Sequence, residues 1–195
     1  IFKLSENRTK NDSLKKIEEY VGPTLDKLEE LSKQQGELIG ISSGFKAVDG
    51  VTQGLQKEDL IVIAGRPSMG KTSLAMNIAE NVAKEEDGCV LVFSLEMSSE
   101  SLTSRMLASM AGISQQSFKS ANLTDRQWEK TINQATKLRS MNIHIDDKPN
   151  ISPMEIRAKA RRLAKQHRNN GGVKLIVVDY IQLMQMPGKT ENRVN

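Results

Sequence analysis

A glycine-rich loop in residues 60–79, LIVIAGRPSMGKTSLAMNIA, restricts the possible folds more than any other stretch of the chain. It matches the pattern G-x-x-x-x-G-K-[ST] over Gly65-Arg66-Pro67-Ser68-Met69-Gly70-Lys71-Thr72. The glycines let backbone N–H groups turn inward as a nest for phosphate oxygens, and the following helix adds the positive end of its dipole. The sequence therefore predicts a phosphate-binding loop between a buried strand, Leu60–Ala64, and a helix that begins near Gly70.

Two side chains of this loop, and one aspartate far along the chain, have distinct predicted roles. Lys71 is expected to reach the β- and γ-phosphates of a nucleoside triphosphate, and Thr72 to offer its hydroxyl to Mg²⁺. Asp179 ends an apolar run at residues 174–178, so it is expected at a strand tip beside the loop, where a carboxylate orients Mg²⁺ through water. The alternative is an aspartate that only ends a strand. We predict ATP and Mg²⁺ as ligands, with residues 65–72 and Ser73 around the nucleotide.

Hydrolysis of ATP also needs a group that positions or deprotonates water. Glu96 follows the predicted strand Val90–Leu95, at the sheet edge where ligands bind in open α/β folds, and it can act there as a general base. The alternative is a surface glutamate in a loop. Asp146 and Asp147 also follow a strand, but the Lys148-Pro149 that comes next favours a turn.

The remaining pattern predicts an α/β fold with a mainly parallel sheet flanked by helices. Four strands are expected, at residues 60–64, 90–95, 142–145 and 175–179. Helices are expected at residues 71–84 and 101–111, and two more start at the capping boxes Thr124–Gln127 and Ser152–Glu155. Six basic residues between Arg157 and Arg168 give the last helix a charged face, which favours a solvated outer surface.

The first 39 residues form a separate helical arm in this prediction. Apolar residues recur there at helical spacing, at positions 14, 17, 21, 25, 28 and 31. Gly22-Pro23 interrupts the pattern, which predicts a short helix to Val21 and a second from Pro23 to about Gln35. The arm could pack on its own domain or dock on a neighbouring subunit. A polar, glycine-bearing link, Gly36–Gly50, favours the second, with an ATPase domain at 40–195.

Composition excludes several classes of protein. No apolar run reaches the roughly 20 residues that span a bilayer, and the N-terminus lacks the pattern of a signal peptide. The single cysteine, Cys89, excludes an internal disulfide and a zinc site built from cysteines, and it fits a reducing cytosol. With only two histidines besides, His144 and His167, the sequence gives no reason to propose a transition-metal site. The net charge of +4 permits nucleic-acid binding without indicating it.

Three stretches resemble the replicative hexameric helicases of the DnaB type, from bacteria or phages. These are GFKAVDGVTQGLQKEDLIVIAGRPSMGKTSLAMNIA, VLVFSLEMSSESLTSRMLAS and IRAKARRLAKQHRNNGGVKLIVVDYIQLM. The resemblance covers roughly residues 40–186 and implies a RecA-like P-loop ATPase. It also implies a cytoplasmic homo-hexamer around single-stranded DNA that moves 5′ to 3′ at a replication fork, with a primase and a helicase loader as partners. Residues 13–36 resemble, by position, the linker helix that grips the neighbouring subunit.

The resemblance also assigns residues. It implies that residues 65–72 are the Walker A loop, Asp179 the Walker B aspartate and Glu96 the catalytic glutamate. Arg105 matches an arginine close to the nucleotide. Lys189 and Arg193 fall in a central-channel loop that contacts DNA, although a flexible polar tail is the alternative. The family's γ-phosphate sensor and arginine finger are expected beyond Asn195, so we expect the chain alone to bind nucleotide weakly and turn over poorly.

Two other functions share these features. A RecA-like recombination or signalling ATPase would use the same loop and Asp179, and a nucleotide-dependent assembly module would bind ATP only to join subunits. The sequence Ser94-Leu95-Glu96-Met97 and the N-terminal arm favour the helicase. Few aromatic residues are available to stack on bases, so any grip on DNA is expected to involve phosphates and to weaken with salt.

Overall fold

A computed structural model describes Leu14 and residues 16–33, 38–66 and 68–185. The chain divides into two compact units, residues 1–39 and 40–195, and the first contains α1 (Glu18–Lys33). The second contains, in chain order, α2 (Lys46–Thr52), α3 (Lys71–Glu85), β1 (Cys89–Ser94), α4 (Ser99–Ala111), α5 (Gln115–Lys119), α6 (Asp125–Ser140), β2 (Ile143–Asp146), α7 (Pro153–Gln166), β3 (Val173–Asp179) and a 3₁₀ turn (Ile181–Leu183). Among the described helices, none has both the length and the apolarity that a bilayer crossing requires.

The three strands form a parallel sheet in the order β2-β1-β3. The central strand β1 is buried along its whole length. At the carboxyl edge of the sheet, Ser94 of β1 lies beside Asp179 of β3. The predicted fold class, a parallel α/β sheet flanked by helices, is confirmed.

Side chains of β1 alternate between two apolar cores, because successive residues of a strand point to opposite faces. Val90 and Val92 face α3 and α4, in a core with Met76, Ala79, Val82, Leu102 and Met106. Cys89, Leu91 and Phe93 face α7, in a core with Ile151 and, at its margin, Ile156, Ala160 and Leu163. Helices therefore cover both faces of the sheet.

Both predicted capping boxes are confirmed. Thr124 and Gln127 cap α6, and Ser152 and Glu155 cap α7, which has Pro153 in its first turn. Lys148 Nζ donates to Glu155 Oε1 at 2.8 Å, and this ammonium, together with the hydrogen bonds from Ser152, lowers the pKa of Glu155 to about 2.

The predicted link at residues 36–50 is structured in part. The buried carboxylate of Asp49 in α2 accepts hydrogen bonds from Ser43 N at 2.9 Å, Ser43 Oγ at 2.6 Å and Ser42 Oγ at 2.8 Å. Burial by itself raises the pKa of Asp49, but these bonds lower it further than burial raises it. Asn81 of α3 then donates to the carbonyl of Ser43 at 3.0 Å, which connects this segment to α3 within the second unit.

The predicted strand Leu60–Ala64 is wrong. Residues 59–66 have no regular secondary structure, and Leu60 and Val62 are 84% and 77% exposed. Apolar composition predicts residues that suit a sheet, but a strand forms only where its backbone has a hydrogen-bonding partner. The described residues therefore contain three strands where four were predicted.

The predicted break at Gly22-Pro23 is also wrong, because α1 continues through it. Proline holds φ near the helical value and removes one N–H donor, which costs least near the start of a helix. Pro23 lies in the second turn, and the neighbouring Thr24 hydroxyl donates to the carbonyl of Tyr20 at 2.7 Å. The predicted helix end near Gln35 and Gly36 lies outside the described residues.

Candidate functional site

The glycine-rich loop has the backbone of a phosphate nest. Ser68 and Gly70 have positive φ values of 63° and 86°, which turn the chain sharply before α3. The amide of Met69 donates back to the carbonyl of Arg66 at 3.3 Å and closes the turn. Pro67 lies outside the described residues. Gly70 has the left-handed conformation that side chains disfavour, so the backbone favours glycine there.

The start of α3 differs from the starts of the later helices. Its N-cap is Gly70, which has no side chain to accept the first N–H groups. The helices α4 to α7 each begin at a serine or threonine whose hydroxyl accepts a backbone N–H, at Ser98, Ser114, Thr124 and Ser152. A helix leaves its first N–H groups without helical acceptors, so α3 offers them, with its positive dipole end, to an anion.

Thr72 and Asp179 are brought together although they are 107 positions apart. Thr72 Oγ1 donates to Asp179 Oδ2 at 2.7 Å. Asp179 is only 7% exposed, at the end of β3, and its carbonyl accepts from Leu95 N at 2.7 Å. The contact joins the loop to the sheet edge and sets a hydroxyl oxygen beside a carboxylate. These are the hard oxygen donors that Mg²⁺ prefers, so the donor set fits this metal.

Lys71 has a partner that the sequence analysis missed. Its ammonium lies 5.6 Å from the ring centroid of Tyr180, within the range of a cation–π contact. Tyr180 directly follows Asp179, so the contact holds the Lys71 charge above the same strand tip. The signal was present in the sequence, since the residue after a strand-ending aspartate also lies at that edge.

Glu96 lies just past the carboxyl end of β1 with its side chain exposed. Its backbone is fixed on both sides, because Leu95 N donates to the Asp179 carbonyl and Ser94 Oγ donates to the Met97 carbonyl at 2.7 Å. Glu96 thus directly follows Leu95, whose amide is hydrogen-bonded to the carbonyl of Asp179. Its catalytic role remains a prediction.

Asp146 ends β2 instead of following it, and both Asp146 and Asp147 have structural partners. Asp146 pairs with Lys159 of α7 and accepts from the amide of Lys148 at 3.1 Å. Asp147 accepts from the amide of Ser99 at 2.7 Å, which lowers the pKa of Asp147 and fixes the start of α4.

Arg105 and Ser73 line a cavity of about 220 Å³ between α3 and α4, together with Met76, Asn77, Met106, Ser109, Ile113 and Gln115. Ser73 follows Thr72 directly, so this cavity lies next to the glycine-rich loop. A nucleotide contact by Arg105 remains a prediction. Lys189 and Arg193 lie outside the described residues.

Comparison with known proteins gives consistent matches. A family model described as "DnaB-like helicase C terminal domain" matches residues 40–195. The chain is 44% identical over 199 residues to the replicative DNA helicase DnaB of Pasteurella multocida (strain Pm70), covering 99% of this chain and 42% of that protein. It is 40% identical over 185 residues to the replicative DNA helicase DnaC of Bacillus subtilis (strain 168), covering 95% of this chain and 40% of that protein. The chain spans about two fifths of the length of these curated relatives.

Solved structures agree on the fold. "ATPase Domain of G40P" matches with a TM-score of 0.79 and 29% identity, over 93% of this chain and 62% of that one. "The Structure Of A DnaB-Like Replicative Helicase And Its Interactions With Primase" matches with a TM-score of 0.78 and 30% identity, over 93% of this chain and 42% of that chain. The RecA-like architecture of the second unit is thereby confirmed.

Proposed function

We propose, given that this chain belongs to the family of DnaB-like helicase C-terminal domains, that it is the ATP-hydrolysing motor of a replicative DNA helicase. Hydrolysis would be coupled to 5′–3′ movement on single-stranded DNA and to duplex unwinding at a replication fork. The single observation that carries the proposal is the 2.7 Å hydrogen bond between Thr72 and Asp179, which joins the phosphate loop to the sheet edge.

The nucleotide would lie with its triphosphate in the loop of residues 65–72. The free N–H groups at the start of α3 and the ammonium of Lys71 would neutralise the phosphate charge. Thr72 and Asp179 would hold Mg²⁺, which would supply positive charge to offset that of the phosphates. Ser73 and Arg105, in the adjoining cavity, would contact the rest of the nucleotide.

Glu96 would act on the attacking water. Its carboxylate can take the proton that water loses as the bond to the γ-phosphorus forms and the bond to the leaving ADP oxygen breaks. Removing a positioned general base typically slows a reaction about 10²- to 10⁴-fold while leaving substrate binding intact. Glu96→Gln should therefore separate binding from turnover.

The test is ATP binding and steady-state hydrolysis by matched variants of this chain. Lys71→Ala should lose both, and Glu96→Gln should keep binding and lose turnover. Lys130→Ala and Glu129→Gln change exposed residues of α6 in the same way and serve as controls. If Lys71→Ala binds and hydrolyses ATP as well as the controls do, the proposed site is refuted.

The same variants separate the motor from an assembly module. In a module in which ATP only joins subunits, single-stranded DNA would leave the hydrolysis rate unchanged, and Lys71→Ala would abolish assembly. A motor would show turnover that single-stranded DNA stimulates. Sedimentation with and without Mg·ATP, run beside the hydrolysis assay, distinguishes the two.

We propose further that α1 docks on a neighbouring subunit of a hexamer. In the described part of its unit α1 is a single helix, and Val21, Leu25 and Leu28 are 51%, 60% and 56% exposed. A lone helix cannot bury its own apolar face, and this supports docking on a partner surface. Leu25→Ser with Leu28→Ser should reduce the assembled mass at a given concentration, whereas Lys27→Ser should leave it unchanged. Equal assembly of the double variant and the control would refute the docking role.

DNA contact is proposed for Lys189 and Arg193. Each contact between a cation and a phosphate adds about 0.7 to the slope of log affinity against log salt for a single strand. Replacing both by alanine should lower that slope by about 1.4, and Lys137→Ala with Arg139→Ala on α6 provides a charge-matched control. An unchanged slope would assign these two residues to a polar tail.

The partners follow from the family. One of the structural matches is a helicase described with its primase interactions, and we propose a primase and a helicase loader as partners here. The relatives are bacterial, so we propose the cytoplasm of a bacterium as the location, for a protein of either bacterial or phage origin. Co-purification of the chain with a purified primase tests the first of these partners.

A further inference from the structure

Three side chains that the ATPase site does not use meet at the opposite, amino end of the sheet. Cys89 begins β1, His144 lies in β2, and His167 is the C-cap of α7. One ligand atom from each lies within 4.8 Å of the other two. Since β1 has six residues and Asp179 pairs with its far end, about 17 Å of strand separates Cys89 from the proposed Mg²⁺ site, while His144 pairs with Leu91 in the middle of β1.

The spacing is close to that of a tetrahedral metal site. Zinc binds sulfur at about 2.3 Å and imidazole nitrogen at about 2.0–2.1 Å, so the ligand atoms of a tetrahedral site lie about 3.3–3.6 Å apart. The cluster therefore has to contract by up to about 1.5 Å to close around an ion. His144 is exposed, so its ring is able to turn, and it provides the side from which an ion enters.

Asn142 contacts both rings. Its Oδ1 lies 2.9 Å from His144 Nε2, and its Nδ2 lies 3.4 Å from His167 Nδ1 and donates to the carbonyl of Gly88 at 3.0 Å. A metal-binding histidine donates one ring N–H to an acceptor and leaves the other nitrogen for the metal, and Asn142 Oδ1 offers that acceptor to His144. At His167 Nδ1 the Asn142 amide is a donor, so this outer support is given to His144 and not to His167.

The C-terminal end of α7 also favours a cation. The rings of His144 and His167 meet edge to face at a centroid distance of 5.4 Å, and His167 ends α7, where the helix dipole is negative. Cys89 is completely buried beside the core under α7, so its sulfur is fixed by packing. A thiolate with two imidazoles suits zinc-class ions and not Mg²⁺, which prefers oxygen.

We propose that Cys89, His144 and His167 form a site for a single Zn²⁺ ion, with a water molecule as fourth ligand. Binding would release the thiol proton to solvent and form one metal–sulfur and two metal–nitrogen bonds, with no change of oxidation state. The ion would tie the first residue of β1 to β2 and to the end of α7. It would therefore stabilise the base of the sheet without taking part in ATP chemistry.

Co²⁺ is the probe, because tetrahedral cobalt bound to a thiolate has a sulfur-to-metal charge-transfer band. Cys89 is the only cysteine, so such a band can come from no other residue. In the presence of saturating Mg·ATP, which occupies the other metal site, we expect the band to saturate at one Co²⁺ per chain. Added Zn²⁺ should abolish the band and raise the melting temperature, and added Mg²⁺ should do neither.

Variants assign the ligands. Cys89→Ser should remove the band, and His144→Gln or His167→Gln should weaken cobalt binding at least tenfold. Because the buried Cys89→Ser could unfold the chain, the exposed His144→Gln, checked by circular dichroism, provides the independent test. Glu85→Gln, an exposed carboxylate near Cys89, should have no effect. Absence of the band at tenfold excess Co²⁺, or a band that both histidine variants retain, would overturn the proposal.

Discussion

Replacing Thr72 by valine tests the contact that joins the loop to the sheet. Valine keeps the shape of threonine and removes the hydroxyl, so Asp179, only 7% exposed, loses its hydrogen bond at 2.7 Å. Hydrogen bonds to charged groups contribute about 1.5–3 kcal/mol, and the half-buried position of Thr72 favours the lower part of that range. We expect a loss of about 2 kcal/mol without nucleotide or metal, which for a chain of this size lowers Tm by about 4–8 °C.

Circular dichroism during thermal unfolding, without Mg²⁺ or nucleotide, measures this loss. Thr72→Ser keeps the donor and should unfold close to the unsubstituted chain. Thr72→Val combined with Asp179→Asn should lose less than the two single changes added together, because the unpaired buried charge is gone. If Thr72→Val and Thr72→Ser have the same Tm, the hydrogen bond contributes nothing and the account of a preformed site fails.

Three further predictions concern the frame around the site. Gly171→Ala should destabilise the chain more than Gly172→Ala, as measured by urea unfolding. Both positions have positive φ, but a Cβ at Gly171 would lie 1.8 Å from a backbone carbonyl oxygen, whereas a Cβ at Gly172 would meet no atom within 4 Å. Equal urea midpoints for the two variants would contradict this. Asp49→Ala should lower the free energy of unfolding by about 1–3 kcal/mol, measured by urea unfolding, since three donors lose their acceptor. A change within error would show that water replaces the Asp49 carboxylate as acceptor. The Lys148 ammonium lowers the pKa of Glu155 from its ordinary value of 4.5 to about 2, so the stability that Glu155 adds is present at neutral pH and is lost as the pH falls through this interval. The Tm difference from Glu155→Gln should therefore close between pH 4.5 and about 2, and a constant difference would argue against the ion pair.

The sequence predicted best what local chemistry determines. The capping boxes at Thr124 and Ser152 depend on residues three positions apart, and both are present. Asp179 lies next to Thr72, as expected, because parallel strands bring their carboxyl ends to one edge and the loop precedes a helix packed on that sheet.

The errors occurred where the outcome depends on a partner. The run Leu60–Ala64 has strand composition, but composition does not state which backbone it pairs with, and the structure leaves it irregular. Cys89, His144 and His167 lie close together because of the register of two strands and the length of α7. Counting the cysteines and histidines in the sequence gives neither of these. Long-range register therefore limited the prediction more than residue propensity did.

The most direct test of the nucleotide site is a crystal structure of the chain with Mg²⁺ and a non-hydrolysable ATP analogue. We expect the β- and γ-phosphates within hydrogen-bonding distance of Lys71 Nζ, the metal on Thr72 Oγ1, and the carboxylates of Asp179 and Glu96 facing the γ-phosphate. An analogue bound away from residues 65–72, or bound there with both carboxylates pointing elsewhere, would contradict the assignment of this chain as an ATP-driven motor.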